Sequence, residues 1–159
     1  LGEHWLIDAN IGHTDFQFTD LAFSDPQTRI DLGLSPGGAT DINSVPGRTP
    51  DYTGALNLSY FTDLSNGSQF AVRYGVSYQA ETFFGANNDP LTVSPSNSVS
   101  NARVTWVSPD EEWQLSLAGT NITDKRVIQS RLNFLNLFGS IQTTYIRPSE
   151  WALSVKRNF

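Results

Sequence analysis

The sequence predicts an all-β chain: about six antiparallel, up-and-down strands that form a portion of a transmembrane β-barrel. Three observations predict it. Period-two alternation of apolar and polar residues recurs about six times, whereas helical spacing is hard to find. The connections run long, short, long, short, long, the asymmetry of a barrel with long loops on one side of a bilayer and short turns on the other. Aromatic residues gather at the strand ends, where their apolar bodies meet lipid and their polar groups reach headgroup water.

The first strand is "HWLIDANIGHTDF", with Trp5, Ile7, Ala9 and Ile11 on one face and Asp8, Asn10 and Gly12 on the other. A long segment rich in Asp, Gly, Pro and Thr follows, "QFTDLAFSDPQTRIDLGLSPGGATDINSVPGRTP", and reads as a loop. The second strand, "DYTGALNLSYF", sets Tyr52, Leu56, Leu58 and Tyr60 against Thr53, Asn57 and Ser59. The Asn-Gly pair in "TDLSNGS" then predicts a hairpin.

In the third strand, "QFAVRYGVSYQA", Phe70, Val72, Tyr74, Val76 and Tyr78 oppose Arg73, Gly75, Ser77 and Gln79. After the loop "ETFFGANNDPLTVSPSN", the fourth strand "SVSNARVTWV" aligns Ala102, Val104 and Trp106 against Asn101, Arg103 and Thr105. The turn "SPDEE" leads to the fifth, "WQLSLAGTN", with Trp113, Leu115 and Leu117 against Gln114, Ser116 and Thr120. A third long segment, "ITDKRVIQSRLNFLNLFGSIQTTYIRP", reads as a loop in which "LNFLNLF" has the spacing of a short amphipathic helix. The last strand, "EWALSVKRNF", directs Trp151, Leu153 and Val155 to lipid and Ala152, Ser154, Lys156 and Asn158 to the lumen.

Aromatics fall into two expected rings: Trp5, Tyr60, Phe70, Trp106, Trp113 and Phe159 toward the short turns, and Phe16, Tyr52, Tyr78, Phe83 and Tyr145 toward the loops. Tyr52 to Tyr60 is eight residues on one face, which at about 3.3 Å per residue and a tilt near 40° spans roughly 20 Å of bilayer height.

A net charge of -6, with Lys and Arg scattered, argues against a nucleic-acid surface. Without Cys there is no disulfide framework, thiolate metal site or thiol nucleophile. His4 and His13 are too isolated in sequence for a metal site, and no Ser-His-Asp arrangement, phosphate loop or zinc spacing is present, so the expectation is no enzyme, no catalytic residues, no metal and no cofactor. The absence of Met and a start in mid-pattern lead to the expectation of a piece of something longer. No stretch approaches the roughly 18 apolar residues of a membrane helix. Sequons at Asn57, Asn66 and Asn121 would matter in a eukaryotic secreted protein.

The run "WQLSLAGTNITDKR", followed by "YIRPSEWALSVKRNF", resembles the C-terminal end of TonB-dependent outer-membrane receptors. "VPGRTPDYTGALNLSYF" looks like their Pro-bounded strand, and "SNARVTWVSPDEEW" like their fourth-from-last strand and turn, so that the likeness covers nearly the whole chain. Arg157 stands where many outer-membrane proteins have an aromatic, and Ile122 where the usual residue is Leu. The resemblance implies the six C-terminal strands of a 22-stranded barrel, with the plug domain and earlier strands outside residues 1–159. It also implies an outer-membrane location in a Gram-negative bacterium and import of a scarce solute, a ferric siderophore by default, or cobalamin, haem or an oligosaccharide. Its partners would be the plug, the TonB complex, the insertion machinery and lipid.

On this reading Asp8, Asn10, Asn57, Arg73, Gln79, Arg103, Gln114 and Lys156 line the lumen, where a solvated wall is the plainer role for each. Arg73 and Arg103, on neighbouring strands, would need acidic or carbonyl partners from a plug. Loop candidates for ligand contact are Arg29, Asp31, Arg131, Asn133, Phe134 and Phe138. Trp106, Trp113, Trp151 and Phe159 are expected to serve the membrane girdle and the assembly signal. Two rival readings are a soluble β-sandwich carbohydrate-binding module and a passive outer-membrane porin.

Overall fold

All six expected strands form, and their ends fall within three residues of the boundaries expected from alternation. The computed structural model describes residues 3–19, 25–33, 43–85 and 87–159. In chain order these contain β1 (Trp5–His13), α1 (Pro26–Asp31), β2 (Tyr52–Asp63), β3 (Gln69–Gln79), β4 (Thr82–Phe83) and a 3-10 turn (Pro90–Thr92). There follow β5 (Val93–Ser94), β6 (Asn97–Val107), β7 (Trp113–Thr120), β8 (Ile128–Phe134), α2 (Leu135–Phe138), β9 (Ser140–Tyr145) and β10 (Glu150–Arg157).

The main sheet has the order β1-β2-β3-β6-β7-β10, each strand antiparallel to its neighbours, and is open, with β1 and β10 as its edges. Register decides the faces, because cross-strand partners point the same way. One row runs Trp5, Tyr60, Val72, Val104, Leu117, Leu153. The row one residue along runs Ser59, Arg73, Arg103, Ala118, Ala152. Alternation in single strands thus becomes one apolar and one polar face across the sheet.

Nothing covers the apolar face among the described residues. No apolar side chain is buried there, and Ile11 and Leu153 are 82% and 74% exposed. The buried side chains are small and polar, among them Ser68, Ser100, Ser116 and Asn121. A soluble domain buries its apolar faces between layers; this sheet has one layer and no core.

The short turns close by local chemistry. In the β2–β3 turn the Gly67 amide donates to the Leu64 carbonyl at 2.8 Å, and Gly67, at φ 82°, takes the left-handed conformation that lacks a Cβ penalty. The Asn66 side chain accepts from the Ser68 amide and hydroxyl at 3.1 and 2.7 Å. In the β6–β7 turn the Ser108 hydroxyl donates to Asp110 and accepts from the Trp113 amide at 2.9 Å, while the Glu112 amide donates to Asp110 at 3.1 Å. Those two bonds, the Ser108 hydroxyl first, hold the Asp110 carboxyl below its ordinary range.

The long segments are more structured than expected. The third folds into the hairpin β8–β9, with α2 at its tip and Gly139 ending that helix at φ 65°. A loop reading missed this hairpin because β8, "IQSRLNF", alternates weakly and carries a register irregularity between Ile128 and Ser130. The segment between β3 and β6 holds the two-residue pair β4–β5. In the first long segment α1 forms because Asp25 caps it, accepting from the Thr28 amide at 2.8 Å.

Candidate functional site

Two regions gather chemistry-bearing side chains. The first is the polar face. Arg73 and Arg103 are direct cross-strand partners there. They line a depression of about 390 Å³ together with Asn57, Asn101 and Thr120. Asn57 leans over Gly75, where a Cβ would meet its carboxamide oxygen at 2.7 Å, and donates to Asp8 at 3.2 Å. The Arg73 guanidinium rests 5.5 Å from the Phe61 ring centroid. A second depression of about 210 Å³ shares Arg103 and Ala118 with the first and adds Gln114, Ser154 and Lys156.

The second region is the loop end, where β8–β9 docks on the β4–β5 segment. Asn133 donates to Asp89 at 2.6 Å, and the Arg131 guanidinium donates to Thr143 Oγ1 at 3.2 Å and to the Val93 carbonyl at 3.4 Å. Asp89 also caps the 3-10 turn by accepting from the Leu91 amide at 2.8 Å. Arg131, Asn133 and Asp89 line a depression of about 310 Å³ with Phe84, Asn87 and Asn136. Arg131 therefore serves first as a tie between hairpins. Phe134 and Phe138 stack edge to face at 5.9 Å on the tip, where Phe138 is 77% exposed. Arg29 and Asp31 lie apart on α1, with Asp31 accepting from Gln27 at 2.9 Å.

The aromatic rings are partly redrawn. Toward the short turns, Trp5 packs on Tyr60 at 4.9 Å, Phe70 pairs with Trp106, and the Arg157 guanidinium lies 4.9 Å from both the Trp113 and Phe159 centroids. Arg157 thus stacks where an aromatic was expected. At the other end Tyr52 and Tyr78 lie on the sheet, and Trp151 joins them by packing over Gly119, whose Cβ would meet the indole at 2.8 Å. Phe83 and Tyr145 belong instead to the loop hairpins, Tyr145 lying under Arg126 at 4.9 Å, and Phe16 packs on Phe18 outside the sheet.

Asn121 was read in the sequence as a strand end, as part of the "TNITDKR" resemblance and as a sequon, and was given no structural role. It is 4% exposed, sits at φ 48°, and donates through its side chain to the carbonyls of Lys125 and Arg147 at 3.0 Å each. Its carboxamide oxygen accepts from the Lys125 amide at 2.9 Å, and its own amide donates to Asn101 Oδ1 at 3.0 Å. Three residues on, Asp124 accepts from the Ser149 amide at 2.9 Å. The pair clamps the foot of β8–β9 to the ends of β7 and β10. Asn and Asp spaced by three just after a strand were the available signal, since both tolerate left-handed backbone and bond to it. No family model matches this chain, and no curated protein matches it.

Proposed function

We propose that the six-stranded sheet is lipid-facing wall of an outer-membrane β-barrel, and that the chain is the closing portion of a TonB-dependent receptor that imports a scarce solute. The observation that carries the reading is the apolar face, which among the described residues is uncovered and has no buried apolar side chain behind it. Lipid is the solvent in which such a face is stable and in which every backbone group of a strand must be paired by a neighbour.

The register is compatible with it. Trp5 shares a register row with Leu153, and Phe159 lies six residues beyond Leu153 across five strand steps. Bringing Trp5 and Phe159 to one membrane level requires about 20 Å along the strands over about 24 Å across them. That is a tilt near 40°, inside the range of about 35–45° of outer-membrane barrels. The receptor reading, finer than the barrel, rests on the motif resemblance around "TNITDKR" and "YIRPSEW". The default solute is a ferric siderophore, with cobalamin, haem and oligosaccharides as the other classes.

Fractionation of cells making the full-length protein tests both levels. The expected product stays in the outer membrane after a urea wash and migrates differently before and after boiling. A soluble, sharply melting monomer made without detergent refutes the barrel and returns the sandwich reading. Insertion with solute uptake that persists when the proton gradient is collapsed refutes the receptor and favours a porin.

A further inference from the structure

After β7 the chain turns onto the apolar side of the sheet instead of leaving in line with the strand. Ile122 covers Gly119, where a Cβ would meet it at 2.7 Å, and shares that place with Trp151, the cross-strand partner of Gly119. The Thr123 hydroxyl lies 3.5 Å from that of Ser100, whose partner is Val76. Lys125, Arg126 and Val127 come next. With Ser96, Asn97, Ser98 and Tyr78 they line a depression of about 330 Å³, and Ser98 and Tyr78 are themselves cross-strand partners on the apolar face.

Two adjacent cations stand here with no counter-charge in the depression. No carboxylate lines it, and the ion pairs among the described residues, Arg147 with Glu150 and Arg157 with Glu112, include neither Lys125 nor Arg126. Asp124, next along the chain, accepts from the Ser149 amide. The Asn121 side chain holds the Lys125 backbone by both its amide and its carbonyl, and Arg126 rests on the Tyr145 ring at 4.9 Å, a contact that leaves its charge in place. Both cations are thus anchored, and both are exposed.

Their level decides what they meet. Tyr78 closes the apolar stripe of β3, with Val76, Tyr74 and Val72 following toward the short turn, so on a lipid-facing wall the depression sits where acyl chains give way to headgroups. Lys and Arg at that boundary lay their stems along apolar surface and lift their charge to the headgroups. The Ser96, Ser98 and Tyr78 hydroxyls and the Asn97 amide add neutral donors, which suits the several acceptor oxygens of a phosphate.

We propose that Lys125 and Arg126 bind the phosphate of a lipid headgroup in the leaflet on the loop side, with its acyl chains along Tyr78, Val76 and Tyr74. The inference rests on the wall reading, which the fractionation above tests separately. Protein that fails to enter the membrane overturns both, whereas inserted protein without the lipid preference below overturns this site alone.

The test mixes full-length protein in non-ionic detergent with phosphatidic acid or with phosphatidylcholine and counts retained lipid by native mass spectrometry. Phosphatidic acid should be retained in preference to phosphatidylcholine, with an affinity that falls about fivefold in K125Q and in R126Q, the increment of one basic residue at a charged lipid surface, and further in the double variant. K125R should keep wild-type binding. So should R147Q, which removes a cation that pairs with Glu150 outside the depression. Displacement of the lipid by an equal concentration of inorganic phosphate assigns the site to a free anion and overturns the lipid. No preference for phosphatidic acid, or an undiminished one in K125Q/R126Q, overturns the site. Boiling-sensitive migration of each variant establishes that it is folded.

Discussion

Single residues act differently on the two faces, and Val76 and Ser77 show it. Val76 belongs to the apolar face, paired with Leu56 and Ser100, whereas Ser77 belongs to the polar face between Ala55 and Val99. Val76→Arg is expected to cost about 2–4 kcal/mol in a bilayer and Ser77→Arg much less; urea unfolding of the full-length protein in lipid vesicles measures both, and equal costs would show the register of faces to be wrong. Asn121 makes the opposite kind of prediction, because its value lies in hydrogen bonds. Asn121→Ala leaves the carbonyls of Lys125 and Arg147 and the Lys125 amide without their partner, a loss of about 1–3 kcal/mol for buried groups. Limited proteolysis should then cut between residues 122 and 149 while the six strands stay protected, and Asn121→Asp, which keeps only the acceptor, should fall between wild type and Ala. The faces were legible from alternation alone. Asn121 was legible only in part: its spacing to Asp124 signalled a local turn, but its bond to Arg147, 26 residues away, left no local pattern.

Elements carry their own tests. The β6–β7 turn depends on the ionised Asp110, whose folded pKa lies below the ordinary 3.8 because the Ser108 hydroxyl and the Glu112 amide both favour the carboxylate. A depressed carboxylate stabilises the fold above its unfolded value and loses that contribution as pH falls through the folded one. Amide exchange at Glu112 and Trp113 should therefore quicken below about pH 4 in wild type and be already fast, with no such pH step, in Asp110→Asn. On β7 and β10, Gly119 leaves room for the Ile122 side chain, which a Cβ would meet at 2.7 Å, and for the Trp151 ring, which it would meet at 2.8 Å. Gly119→Ala should push that indole off the sheet and destabilise by about 1–3 kcal/mol, with a shift in tryptophan emission that Trp151→Phe abolishes. Strand elements were legible because each alternates over eight or more residues. The β8–β9 hairpin was not, because seven and six residues with a register irregularity give too short a pattern to separate from loop. The helical spacing of "LNFLNLF" was legible, though only Leu135–Phe138 form helix.

At the scale of the whole molecule, an open sheet with an uncovered apolar face and unpaired edges at β1 and β10 should not persist alone in water. Expressed as residues 1–159 without detergent, it should sediment as aggregate, and a monodisperse species in sedimentation velocity would contradict the proposed lipid-facing wall. All-β architecture and strand order were legible from the spacing of alternation and turns. The candidate loop site was legible only in part: Arg131 and Asn133 line one depression, but Asp89, which accepts from Asn133 across 44 residues, gave no sign. The lack of a core among the described residues has one more consequence, for inheritance. A side chain wedged between layers is vetted for shape, so that Leu and Ile differ; on the proposed lipid-facing wall a side chain meets a fluid and is vetted only for which side of the strand it occupies. The enduring content of such a wall is parity, and two descendants of one ancestor can keep every cross-strand partner while sharing few letters of their spelling.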